Sequence, residues 1–220
     1  MPSPAEVAFL LDVDNTLLDN DAVIGDLRRH LIEAFGERRA EQYWSIFEEI
    51  RLDLGYADYL GALQRYRLRH PLEPHVIGIS LFLLHYPFAA RVYHGVDLLL
   101  SRLKLRGPVV ILSDGDVVFQ PHKVEQSGLM DAVDGNVLIY VHKEQMLGDV
   151  ERRYPAGRYV MVDDKAWILA AMKTIWADRL KTVFVRQGHY AYDPRVGATK
   201  PAPDIVVDSI AELLNRVDTL

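Results

Sequence analysis

An unbroken apolar run over residues 7–11, Val-Ala-Phe-Leu-Leu, predicts a strand buried on both faces. It stops abruptly at Asp12-Val13-Asp14-Asn15-Thr16, and from about residue 19 the apolar period becomes that of helices. Tyr43, Phe47, Ile50 and Leu54 keep three- and four-residue spacing, Tyr59, Leu63 and Tyr66 repeat it after a break at Gly55, and Val76, Ile79 and Leu83 mark another helix between Pro74 and Pro87. Several consecutive helices without a strand exceed a single crossover between parallel strands, so residues 19–94 read as a small helical bundle inserted after the first strand.

Beyond residue 95 helical and strand patterns alternate. A helix at 96–103 carries Leu99, Leu100 and Leu103 and stops at Gly107-Pro108; strand 109–112 follows, then helix 121–128, strand 136–141, a helix through Met146, Leu147 and Val150, strand 159–162, helix 166–176, and strands 182–185 and 205–207. The polar stretch 187–203 predicts a long loop before the last strand and a terminal helix. This alternation predicts an α/β fold of three layers with a mostly parallel sheet covered on both faces. Residues 1–18 and 95–220 would form the α/β core and 19–94 the insertion.

Composition narrows the classes. Half of the 220 residues are hydrophobic, enough for a sizeable core, and the net charge of −6 argues against a general basic field for nucleic acid. No nucleic-acid partner is expected. The chain has no cysteine, which excludes thiolate metal sites and thiol nucleophiles and is compatible with a reducing cytoplasm, the expected location. Met1-Pro2-Ser3-Pro4-Ala5-Glu6 lacks a basic region leading into a long apolar run, so no signal peptide is expected, and no apolar stretch is long enough to span a bilayer. None of the eight histidines falls at a zinc-site spacing on a helix face; they read as surface or partly buried side chains.

Four strand ends carry polar groups: Asp12 and Asp14, then Ser113, then Lys143, then Asp163 and Asp164. In an open α/β sheet the carboxyl ends of the strands are where ligands bind, and paired carboxylates at such a rim invite a hard cation. Taken singly, Ser113-Asp114-Gly115 also reads as an ordinary turn and Lys143 as a solvated helix-start lysine. The like charges of Asp163 and Asp164 need a cation or a neighbour such as Lys165. Thr16 reads as supporting its loop through a hydroxyl hydrogen bond.

Asp12-Val13-Asp14-Asn15-Thr16 matches Asp-x-Asp-x-Thr, the first motif of the haloacid dehalogenase-like (HAD) hydrolases, and the order and spacing of Ser113, Lys143 and Asp163-Asp164 resemble the remaining motifs across the whole core. The resemblance implies a Rossmannoid core, a cap of the helical type at 19–94, and Mg2+-dependent hydrolysis of a small phosphorylated substrate. It further implies that Asp12 is the nucleophile and a metal ligand, and that Asp14 binds the metal through its carbonyl while its carboxylate transfers protons. Ser113 would bind a phosphoryl oxygen, Lys143 would neutralise charge, Asp164 would ligate the metal and Asp163 would act through water. Halide displacement would not need Asp14, and a Schiff-base phosphonate hydrolase would need a cap lysine that 19–94 lacks. A phosphomutase or phosphotransferase of the same fold, or a non-catalytic binding protein, remain as alternatives. Arg51, Tyr56, Tyr59, Arg65, Tyr66 and Arg67 are candidates to line a substrate pocket, with an arginine pairing a second anionic group; cap core and solvated face is the alternative.

Overall fold

The computed structural model describes residues 4–220, so the first three residues of the N-terminal segment read above lie outside the described residues. Strands β1 (Ala5–Leu11), β2 (Val109–Asp114), β3 (Val137–Tyr140), β4 (Ala156–Asp163), β5 (Leu180–Val185) and β6 (Ile205–Val207) form one sheet in the order β3-β2-β1-β4-β5-β6. Every pairing is parallel. The apolar run that opens the sequence is therefore central, with Leu11 beside Ile111 on one edge and Val162 on the other.

A parallel sheet must be covered on both faces, and the two-residue period of β1 shows how. Phe9 and Leu11 face one apolar cluster while Ala8 and Leu10 face another. The first cluster draws in α1 (Asn20–Phe35), α2 (Glu37–Leu54), α3 (Tyr59–Arg69), α4 (Val76–Leu84) and α5 (Val96–Lys104), as well as α6 (Phe119–Gln126) and α7 (Leu129–Ala132). The second is closed by α8 (Leu147–Arg153) and α9 (Ala166–Trp176). Helices α1 to α4 thus share one continuous apolar core with the sheet face beneath them, through Leu27, Leu31, Tyr43 and Tyr66. The two ends of this helical segment meet where Leu18 bridges to Val92.

The expected loop at 187–203 is partly ordered into a 3-10 turn, His189–Tyr192, and a short helix α10 (Arg195–Ala198), and the terminal helix is a 3-10 run, Ile210–Thr219. In the former, Arg195 stacks 3.7 Å from the Trp167 ring and Tyr190 packs edge-on against the same ring, contacts invisible to local periodicity. Among the described residues no helix is long and apolar enough to cross a membrane.

Candidate active site

The loop after β1 is held in an unusual backbone conformation. Asn15 has φ 58°, a left-handed value that Asn tolerates better than most residues, and its side-chain oxygen accepts from the amides of Asn20 (3.0 Å) and Asp21 (3.1 Å) at the start of α1. Gly188 closes against it: a Cβ there would lie 2.4 Å from Asn15 Cγ. The turn is thereby fixed by backbone amides from the insertion and by a glycine from the far end of the chain. Thr16, expected to hydrogen-bond through its hydroxyl, is buried with Oγ1 lacking a protein partner. Asn15 does that work instead, because its amide can both donate and accept.

The sheet rim brings Asp12, Asp163 and Asp164 together, each buried, with one oxygen from each within 4.8 Å of the others. Lys143 is fully buried between them, its Nζ donating to Asp12 Oδ1 at 2.6 Å and lying 2.7 Å from Asp163 Oδ2. It is not a solvated lysine. Burial works against its charge, yet Asp12, Asp163 and Asp114 hold its pKa above the ordinary value. Asp163 also accepts from the Lys165 amide (2.8 Å). Burial pushes Asp164 well above the usual carboxylate range and Asp163 in the same direction, partly opposed by Lys165 and Lys143 respectively.

These carboxylates are under-supplied with donors. Asp12 Oδ2 and both oxygens of Asp164 are buried without a hydrogen-bond donor, and Asp163 Oδ2 has only its ion-pair approach to Lys143. Unpaired buried carboxylate oxygens are costly, and oxygen-only donors converging in this way fit a hard divalent cation. The site is a buried acidic triad that can hold a metal.

Asp14 does not join the triad with its carboxylate. That group, partly exposed, receives Lys123 Nζ on both oxygens (2.8 and 3.0 Å), and Lys123 also donates to Asn20 Oδ1 at 3.1 Å. Gln120 donates to Ser113 Oγ (3.0 Å) and lies 3.4 Å from Asp14 Oδ2, which ties the end of β2 to the loop after β1. Neither Lys123 nor Gln120 was singled out by motif order. The available signal is that both lie on the buried face of α6 with Phe119 and Val124, where a lysine needs a partner. Asp114 completes the rim by accepting from the Lys143 amide at 2.7 Å.

Of the candidates from the insertion, Tyr59 and Tyr66 are core residues, Arg65 and Arg67 are exposed, and Arg51 pairs with Glu48 at 2.7 Å. Tyr56 alone among these six lines a cavity beside Gly115 and His142. No histidine joins the acidic cluster; His189, for one, caps Asp21.

A protein-family model described as haloacid dehalogenase-like hydrolase matches residues 7–175. No curated protein matches the chain. A crystal structure described as a haloacid dehalogenase-like hydrolase from Burkholderia xenovorans LB400 is 57% identical, with a TM-score of 0.92 and 96% of each chain covered. L-2-haloacid dehalogenase from Xanthobacter autotrophicus, with chloropropionic acid covalently bound, is 17% identical at TM-score 0.64, covering 98% of this chain and 99% of its own. The HAD-hydrolase YfnB from Bacillus subtilis, bound to magnesium, is 15% identical at TM-score 0.64, covering 97% and 99%.

Proposed function

The chain belongs to the haloacid dehalogenase-like hydrolases, and on that premise we propose that it is a Mg2+-dependent phosphohydrolase that forms an aspartyl-phosphate on Asp12. The observation that carries this reading is Asp164: both its oxygens are buried without a donor beside Asp12 and Asp163. A dianionic phosphoryl group repels a carboxylate nucleophile, so such a site needs a cation, whereas a neutral carbon bearing a halide does not. Asp12, Asp164 and the Asp14 carbonyl would hold Mg2+, with Asp163 reaching it through water; the ion supplies neutralisation of the phosphoryl charge.

The side chains do the rest. Asp12 attacks phosphorus, the bond to the alcohol oxygen breaks, and the Asp14 carboxyl gives its proton to the leaving alkoxide. Water then attacks the aspartyl-phosphate, gives a proton back to Asp14 and releases phosphate, restoring Asp12. Ser113 donates to a phosphoryl oxygen and Lys143 offsets charge on Asp12 and the phosphoryl group as it transfers. The helical insertion acts as a cap, excluding water and contacting the alcohol; the substrate is a small phosphorylated metabolite of the cytoplasm.

The test is phosphate release from acetyl phosphate and 4-nitrophenyl phosphate with and without Mg2+. Label from phosphate is expected to be trapped on Asp12, and Asp12→Asn to abolish turnover with the fold retained. Chloride release from 2-chloropropionate without added cation, and no phosphate release, would replace this reading with halide displacement.

A further inference from the structure

A cavity of about 540 Å3 lies between the loop joining α2 to α3 and the carboxyl ends of β2 and β3. Tyr56 forms its side toward the insertion; Val117, Pro121, Ile139, Tyr140, Val141 and Met146 supply most of the rest, His142 and Gln145 add polar side chains, and no lysine or arginine lines it. Its one carboxylate is Asp116, which is fixed by accepting from the amides of Val118 (2.9 Å) and Phe119 (2.6 Å) at the start of α6. Asp58 adds negative charge nearby: it and Asp116, after burial, push the Tyr56 phenol above its ordinary pKa.

The cavity adjoins the chemistry on two sides. Its wall residues Gly115 and Asp116 follow Ser113 on the β2 rim, and Val141 and His142 lead directly into Lys143 on the β3 rim, where Ser113 and Ile139 are paired neighbours. Gln120 packs on Gly115, within 2.7 Å of where a Cβ would lie, precedes the wall residue Pro121, and reaches toward the Asp14 carboxylate that serves the leaving group. The wall begins two residues past Ser113 and one before Lys143, so a leaving group extending from the rim beyond Gln120 would enter this space. The triad carboxylates Asp163 and Asp164 lie on the other flank of β1, at the end of β4.

We propose that this cavity receives the leaving group, and that the substrate is a phosphate monoester of an uncharged aromatic or otherwise apolar alcohol rather than one bearing a second anionic group. This rests on the phosphohydrolase reading. The volume falls within the range of small-molecule sites, and a mostly apolar lining rewards apolar area while giving a carboxylate or a second phosphate no lysine or arginine partner, only the side chains of His142 and Gln145. Asp116, on the wall, opposes such groups. An arginine clamp, which residues 51–67 suggest in sequence, is absent from the wall.

The experiment compares kcat/KM for 1-naphthyl phosphate, phosphoglycolate and acetyl phosphate in Mg2+. The wild-type protein is expected to favour 1-naphthyl phosphate over phosphoglycolate by about tenfold or more. Val141→Trp, at a half-exposed position that tolerates bulk, fills the cavity and is expected to lower the ratio of 1-naphthyl to acetyl phosphate about tenfold. Met146→Arg, also partly exposed, is expected to move the ratio of phosphoglycolate to 1-naphthyl phosphate upward by a similar factor. A wild-type preference for phosphoglycolate, or ratios that neither variant moves, overturns the leaving-group pocket while leaving acetyl phosphate hydrolysis intact. Failure of the wild-type protein to hydrolyse any of the three removes the phosphohydrolase reading and this proposal with it.

Discussion

Lys123 shows how much of the site's geometry depends on a residue outside the motifs. Its ammonium bonds both oxygens of Asp14 and lies 5.9 and 5.8 Å from the Tyr59 and Phe119 ring centroids, so it fixes the acid against the insertion and the core at once. Charge-assisted bonds of this kind are among the stronger side-chain contacts. Lys123→Met keeps the apolar stem and removes the charge, which on the proposed mechanism leaves Asp14 free to rotate away from the alcohol. The loss should scale with how badly the leaving group needs a proton. Hydrolysis of an alkyl phosphate is expected to fall about 100-fold and that of 4-nitrophenyl phosphate less than about tenfold, in line with the size of general acid catalysis. Rates measured across aryl and alkyl phosphates decide the matter: an equal loss for all of them would mean that Lys123 supports the fold without positioning Asp14.

At the scale of elements, the α2–α3 loop links the insertion to the core through Gly55. It ends α2 in a left-handed conformation (φ 82°), and a Cβ there would meet His142 Cε1 at 2.4 Å. Gly55→Ala is expected to cost about 1–2 kcal/mol for the left-handed backbone, read from the urea midpoint, and to raise KM for aryl phosphates through displacement of Tyr56, with kcat nearly unchanged. An unmoved midpoint would show that the loop relaxes without cost. The strands carrying the site were legible because buried parallel strands are continuous apolar runs, and the polar groups at their ends, Asp12, Ser113, Lys143 and Asp163-Asp164, stand out against them. What was not legible depends on partners far apart in sequence: Gly188 on Asn15, Lys123 on Asp14, Trp167 on Arg195. The arginines of the insertion, readable as pocket candidates or as a solvated face, stayed open for a related reason. Periodicity separates buried from exposed helix faces but does not say which exposed face looks onto the core.

Over the whole molecule, the acidic triad sets a stability that depends on pH and, on the proposed reading, on a cation. Burial raises the folded-state pKa of Asp163 and Asp164 above the unfolded value of about 3.9, so in that window the folded chain binds more protons than the unfolded one. Stability from these groups is therefore present at low pH, is lost as pH rises through the raised values, and stays lost at neutrality unless a cation restores it. Mg2+ at 100 times its Kd contributes about 2.7 kcal/mol, which for a chain of this size corresponds to a rise in Tm of about 5–10 °C. That rise should be larger at pH 7.5 than at pH 5, where protons compete with the ion. Asp164→Asn removes a buried like charge, so its cation-free Tm is expected to exceed that of the wild-type protein while its rise with Mg2+ largely disappears. Thermal unfolding of both proteins at the two pH values, with and without Mg2+, reads all of this out. A variant that is less stable without Mg2+ yet keeps the full rise would place the cation elsewhere and leave the triad as a structural ion cluster held by Lys143.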